Sequence, residues 1–361
     1  MSPTSPSRSI ISIGTTFKVY DGSVKTHTHL PADTYRVEFS PMSGYSLTQT
    51  TDLDVTESKV YGNHDARLDR IVNTYQRSDR SLGVLLSGDK GMGKSLMIRM
   101  IADRALKQLG MPVIIVDRDA PGVEGFLDSL GECVIVFDEF EKRFDRYDDE
   151  DNAQSKFLGL FDGLSTAKRL YAVSVNELNQ VNDYLLNRPG RFHYHMRFEY
   201  PTPDEVRQYL TDQAPNADDG SVDEVVTFSR KVNINFDHLR AIAFEIDNGE
   251  TFDEVIGDLN IKRTDTTNYR ITVAFENGES ATGTNSIDLF NPEPQHISVG
   301  SRQGGVHLKA TINNPEYNGT ALEIPAECVD VLETPWGLID GHNPKVTRMS
   351  VSLYGQRDYN Y

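Results

Sequence analysis

Residues 84–95 read Val84-Leu85-Leu86-Ser87-Gly88-Asp89-Lys90-Gly91-Met92-Gly93-Lys94-Ser95. Val84 to Ser87 is a short, mainly apolar run, which predicts a buried strand, and it ends at a glycine. Glycines at 88, 91 and 93 let the backbone curl so that successive N–H groups face one point. Lys94 brings a positive charge to that point and Ser95 a hydroxyl. Ile98, Ile101, Ala102, Ala105 and Leu109 then recur at helical spacing, and Gly110 stops the helix. A strand, a loop G-x-x-x-x-G-K-[ST] and a helix in this order make a phosphate cradle, with the helix N-terminus adding its positive dipole end. Gly88, Asp89, Lys90, Gly91, Met92, Gly93, Lys94 and Ser95 are therefore candidate phosphate-binding residues. The Ser95 hydroxyl is also a candidate magnesium ligand.

Working outward, Leu68, Ile71, Val72 and Tyr75 stripe a helix ahead of this strand. Val113 to Val116, Val134 to Phe137 and Leu170 to Val175 are apolar runs of the kind that fill a parallel sheet covered on both faces. Strand and helix patterns alternate over 59–200, which predicts an α/β domain. The run Cys133-Val134-Ile135-Val136-Phe137 ends in Asp138-Glu139-Phe140. Two carboxylates at the end of a buried strand, downstream of a phosphate loop, suit a division of labour. Asp138 would sit behind a magnesium ion, and Glu139 would orient and polarise an attacking water. Cys133 reads as core.

Residues 201–260 predict a small helical subdomain. Thr202-Pro203-Asp204-Glu205 carries a capping residue, a first-turn proline and a glutamate three residues on. Ser221-Val222-Asp223-Glu224 repeats the capping pattern, and Phe236, Leu239, Ala243 and Ile246 stripe a further helix. Both ends of the chain are β-rich. At the N-terminal end, over 1–58, Ile10 to Tyr20 and Tyr35 to Leu47 favour strands. Over 261–361, Tyr269, Ile271, Val273 and Phe275 alternate with polar residues up to the hairpin signal Asn277-Gly278. Strands at Ile297, Val306 to Ile312, Ala321 to Ile324 and Arg348 to Leu353 complete an expected small all-β barrel or sandwich.

Composition narrows the function. Across 361 residues, 36 Lys+Arg stand against 54 Asp+Glu, a formal charge of −18. That argues against a sequence-independent nucleic-acid coat, which needs cations to displace the counterions on phosphates. Two distant cysteines make no disulfide framework, no apolar run reaches a membrane span, and Met1 to Ser9 lacks the apolar core of a signal peptide. A cytoplasmic protein is expected. His27 and His29 have no companion ligands and read as surface residues.

With these motifs in place, the chain resembles the AAA+ ATPases over roughly 59–260. Phe157 to Gly163 looks like the helix and Asp-Gly turn that follow the acid pair in the AAA branch. Leu170 to Asn176 looks like the next strand, which ends in a polar residue that helps place the water, here Asn176. Leu185-Leu186-Asn187-Arg188-Pro189-Gly190-Arg191-Phe192 is similar to the family's R-P-G-R segment. This maps arginine fingers, which reach the ATP of a neighbouring subunit, onto Arg188 and Arg191. Tyr61-Gly62 resembles the adenine-contacting segment. The resemblance implies an α/β P-loop core (59–200) with a helical lid (201–260), flanked by an N-terminal β-rich segment (1–58) and a C-terminal small all-β domain (261–361). It also implies ATP and Mg²⁺ as ligands and a homo-oligomer, a hexameric ring in the family.

Departures matter too. Asn235-Phe236-Asp237-His238 falls where the AAA branch often has a Gly-Ala pair, and His238 reads as a cap or surface residue. Asp117 to Glu132 offers only Val123 and Phe126 as pore residues, or else a packed loop. The closer likeness is to uncharacterised bacteriophage-encoded AAA family ATPases, which would place the protein in a host cytoplasm. Remodelling of a protein partner is the expected role. A nucleic-acid motor or loader in phage replication and a nucleotide-gated structural assembly protein are the alternatives.

Overall fold

The computed structural model describes residues 8–21, 24–51, 53–55, 61, 64–144, 153–161, 167–182, 185, 191–259, 261, 267–289, 293–300, 307–313, 323–334 and 345–353. The chain divides into two units. The first holds Met1–Thr56, Asp65–Leu86 and Ser95–Met196, and the second holds Glu57–His64, Ser87–Lys94 and Arg197–Tyr361.

The apolar runs of the first unit build a seven-stranded sheet. In spatial order its strands are Gly44–Gln49 (β4), Thr34–Ser40 (β3), Val113–Ile115 (β6), Cys133–Phe137 (β7), Arg169–Val175 (β8), Leu82–Ser87 (β5) and Tyr194–Arg197 (β9). β3, β6, β7 and β8 run parallel, and β4 closes one edge antiparallel to β3. Every residue of β5, β6, β7 and β8 is buried, as two-sided cover demands. The order seats β8 beside β7, so the carboxyl ends of these two parallel strands lie side by side. That is where α/β sheets place their chemistry.

One expectation changes here, and one open alternative closes. β3 and β4, read from sequence as part of a separate N-terminal segment, extend the α/β sheet itself, with Thr34–Arg36 paired to Val113–Ile115. The alternating pattern of β3 gave no sign of which strand it would join. Val123, a candidate pore residue, is buried at the start of helix Val123–Ser129 (α3), and Phe126 stacks on Tyr45 at 4.6 Å. The packed-loop reading holds for this stretch. The remaining described strands of the first unit, Arg8–Ile13 (β1) and Thr16–Asp21 (β2), form a separate hairpin.

Under the end of β7 lies an aromatic cluster. Phe137, Phe140, Phe144, Phe157 and Phe161 are all at most 2% exposed and meet mostly edge to face, with centroids 4.8–6.3 Å apart. Burying each ring contributes about 1.5–3 kcal/mol, and aromatic pairing adds about 0.5–1.5 kcal/mol. The cluster joins β7 to the helices Phe140–Arg143 (α4) and Ala153–Phe161 (α5). It gives the turn after β7 a rigid floor.

In the second unit, helices Pro203–Gln213 (α6), Asp219–Lys231 (α7), Phe236–Asp247 (α8) and Phe252–Val255 (α9) share one core built on Val206, Leu210, Val225, Leu239 and Ile242. The capping box at Thr202 and Glu205 forms as expected. The second one does not: α7 begins a turn earlier, with Asp218 as its cap accepting from Ser221 N at 3.0 Å. An aspartate three residues ahead outcompetes the serine because a charged acceptor satisfies the helix end more strongly.

The C-terminal strands form two sheets. One runs Ser280–Ile287 (β11), Thr267–Phe275 (β10), Val346–Leu353 (β16) and Glu323–Ile324 (β14). The other runs Gln295–Gly300 (β12), His307–Ile312 (β13) and Val329–Glu333 (β15). Ile271, Val273, Ile297, Val299 and Leu308 fill a shared core, so the described strands make the sandwich rather than the barrel. The Tyr269 hydroxyl donates to the Lys231 carbonyl at 2.6 Å and ties the sandwich to α7. Among the described residues, no helix is long and apolar enough to cross a membrane.

Candidate functional site

The glycine loop is shaped by backbone contacts. Phe198 N donates to Ser87 O at 2.7 Å. Gly88, at φ 146°, lies so close to the Phe198 carbonyl that a Cβ there would collide with it. Gly91, at φ 78°, packs against Asn235, and its carbonyl accepts from Phe236 N at 3.1 Å. Asn235 Nδ2 donates to Lys90 O at 3.2 Å while its Oδ1 caps α8 through His238 N at 2.8 Å. The start of α8 is thus fastened to the loop. Tyr200 donates its hydroxyl to Asp89 Oδ2 at 2.7 Å. Burial, then that bond, push the tyrosine's pKa well up. Met92 is buried beneath the loop, and Gly93 has open space where a Cβ would sit.

Lys94 is 5% exposed, and its Nζ donates to Gly88 O at 2.6 Å and Asp89 O at 2.7 Å. Tyr61 packs against Tyr209 and Phe236 at 4.9 and 6.3 Å, and its hydroxyl accepts from Gln213 Nε2 at 3.0 Å. Gly62 lies outside the described residues. His238 titrates below the usual range because of burial, so its imidazole is neutral at pH 7.

The acid end, in the first unit, is built from side chains. Ser95, the residue after Lys94, donates its hydroxyl to Asp138 Oδ2 at 3.1 Å. Ser174 Oγ bonds Asp138 Oδ1 and accepts the Glu139 backbone N–H at 2.8 Å. Glu139 has φ 51° and ψ 53°, the one positive φ outside glycine among the described residues. Such a conformation costs about 1–3 kcal/mol and persists where neighbours hold it. Here the Ser174 bond and the Lys142 N–H to the Glu139 carbonyl, 3.0 Å, hold it. The residue turns the chain from β7 into α4 within one step.

The Glu139 carboxylate takes Lys142 Nζ at 2.6 Å and Asn176 Nδ2 at 3.2 Å on the same oxygen. The Lys142 bond is the main reason that Glu139 titrates below the ordinary carboxylate range. Burial opposes the shift and Asn176 adds to it. Glu139 is therefore an anion at neutral pH. Asp138 and Ser95 supply only oxygen donors within hydrogen-bond reach of each other, a set that suits magnesium.

Most of the acid-end residues expected from the sequence come together here: Ser95, Asp138, Glu139 and Asn176. Arg191 behaves differently, being 6% exposed with its carbonyl packed against Gly83. Arg188 lies outside the described residues. Cys133 is core, its thiol pushed up to about 11, chiefly by burial. His27 and His29 are exposed, and among the described residues no group of three or more His, Cys, Asp or Glu side chains is placed to hold a metal ion. Sequence reasoning missed Ser174, Glu141, Lys142 and the Asn235 strap. Ser174 had one signal: it is a hydroxyl in an apolar strand, two positions before Asn176 and hence on the same face.

Residues 84–200 match the model of the ATPase family associated with various cellular activities (AAA). No match to the chain is found among curated proteins.

Proposed function

We propose that the chain is a magnesium-dependent AAA+ ATPase that works as a homo-oligomeric ring and couples ATP hydrolysis to remodelling of a protein partner. The observation that carries the reading is the Glu139 carboxylate, held anionic and bonded to Asn176 beside the Ser95–Asp138 pair. The N–H groups and Lys94 of the loop bind the phosphates. Ser95 and Asp138 would hold a magnesium ion, which would neutralise phosphate charge. Asn176 and Glu139 place a water in line with the γ-phosphorus. As its oxygen bonds to phosphorus, the bond to the bridging β–γ oxygen breaks and Glu139 takes the water's proton, leaving ADP and phosphate.

A water lying against an ion-paired carboxylate is poorly activated, so Lys142 must let go of Glu139 in the competent state. The trans arginine of this proposal is Arg188 first, since Arg191 is buried in the subunit. Helices α6 to α9 serve as the lid, moving the P-loop through the Asn235 strap. The formal charge of −18 favours a protein client over a nucleic acid. The test is ATP turnover per subunit against protein concentration, with Arg188→Ala alongside. Turnover that rises cooperatively and is lost in the variant supports a shared site. Concentration-independent turnover with a harmless Arg188→Ala rejects the ring, and stimulation by single-stranded DNA would favour the nucleic-acid motor.

A further inference from the structure

Glu141 is 6% exposed, two residues past Glu139, in a helix of one turn. Its Oε1 accepts twice from Asn176: from the backbone N at 3.1 Å and from the side-chain Nδ2 at 3.0 Å. Asn176 Nδ2 also donates to Glu139 Oε1 at 3.2 Å. One amide group therefore spends both of its hydrogens on two carboxylates. That arrangement permits only one orientation, since an amide oxygen in the same place would face two negative groups. Glu141 Oε2 is buried with no hydrogen-bonding partner among the described residues. A half-satisfied buried carboxyl is a poor choice for stability alone. Local costs of this kind gather where a site needs a fixed geometry.

We infer that Glu141 is a positioning residue for the hydrolytic reaction. It fixes the rotamer of Asn176, so that the amide presents N–H rather than oxygen to Glu139 and to the water beside it. Glu141 touches neither nucleotide nor water and acts through Asn176. The inference rests on the ATPase reading above, and the residues that carry it all lie within one unit.

The experiment compares wild type, Glu141→Met, Glu141→Gln, Asn176→Ala and the Glu141→Met/Asn176→Ala double variant. Methionine keeps the length of the side chain and removes its acceptor, and glutamine keeps one acceptor oxygen. Glu141→Met is expected to lower kcat roughly 10-fold with KM for ATP unchanged, the size of losing a bond to a charged acceptor. Its melting temperature should hold or rise, as replacing a buried charge by an apolar isostere allows. Glu141→Gln should recover part of the rate, and the double variant should be no slower than Asn176→Ala. A second readout needs no turnover. With ¹⁵N-asparagine labelling, the side-chain amide signal that disappears in Asn176→Ala should shift in Glu141→Met. A wild-type kcat in Glu141→Met, losses that multiply in the double variant, or an unmoved Asn176 signal would each overturn the inference. If wild type binds no ATP, the ATPase reading falls by itself, and the amide signal still decides whether Glu141 orients Asn176.

Discussion

The Gly88–Lys94 loop and the acid end around Asp138 are made of different materials. The loop is held mainly through its own backbone, by main-chain bonds from Phe198 and Phe236, by the Asn235 amide on the Lys90 carbonyl and by glycines that leave room for them, with Tyr200 on Asp89 as a side-chain pair. Its one chemically demanding side chain is Lys94. The acid end is held by side chains meeting side chains: Ser95 and Ser174 on Asp138, Lys142 and Asn176 on Glu139, and Glu141 on Asn176. A backbone cradle tolerates change at most positions and fails where a Cβ is added or the cation is lost. A side-chain network is sensitive to changes of a single atom. Binding should follow the first region and bond cleavage the second.

The sharpest way to break that division is Glu139→Gln, which swaps one oxygen for an amide. Turnover should fall ~10²–10⁴-fold, the usual contribution of a positioned base, while ATP affinity stays near wild type. Equal losses in both would merge the two regions into one. Next in size, Lys94→Ala should weaken ATP binding roughly 10–100-fold in equilibrium titration, since a charge-assisted bond is worth about 1.5–3 kcal/mol. Undiminished binding would remove the loop from the site. Gly88→Ala tests the backbone claim directly. Strain at this φ should destabilise the fold by about 1–3 kcal/mol in urea unfolding, and the collision with the Phe198 carbonyl adds to that. A neutral result would mean that the loop is looser than its contacts imply.

The smallest effect belongs to Lys142→Ala. Lys142 is the main cause of the lowered Glu139 pKa, so removing it raises that pKa. The acid limb of the kcat/KM–pH profile, which reports Glu139 in the free enzyme where Lys142 is paired with it, should then move to higher pH. At neutral pH the change should stay under about 5-fold, as for exposed ion pairs. The sign for stability is the same. A depressed carboxylate pKa stabilises above the unfolded value, and that stabilisation is lost as pH falls through the folded one. An unmoved limb would show that the pair does not govern Glu139.

The same contrast explains what could be seen in the sequence. The loop was legible because its chemistry sits in consecutive residues, and a strand, glycines and a helix must follow one another to make it. Asp138 and Glu139 were legible because a wholly apolar strand ended in charge. Asn176 came from family likeness and from its place at the next strand's end. Glu141 and Lys142 were not legible, because two charges on a short helix after a strand look like any solvated turn. Only the adjacency of β7 and β8 brings Glu141 to Asn176, whereas Lys142 reaches Glu139 across one turn of its own helix. The Asn235 strap was hidden for a similar reason, since a cap residue's spare N–H₂ has no signature in sequence. The membership of β3 and β4 in the core sheet was also invisible, because pairing partners far apart along the chain leave no local mark.

The central claim is that this chain cleaves ATP with Glu139. The most direct measurement is a single-turnover experiment on the full chain with Mg²⁺, following bound ATP and released ADP in the same sample for wild type and Glu139→Gln. The account predicts that both proteins bind ATP, that wild type converts it to ADP, and that Glu139→Gln stays arrested with ATP bound. ADP formation by Glu139→Gln at the wild-type rate, or no ATP bound by wild type, would contradict it.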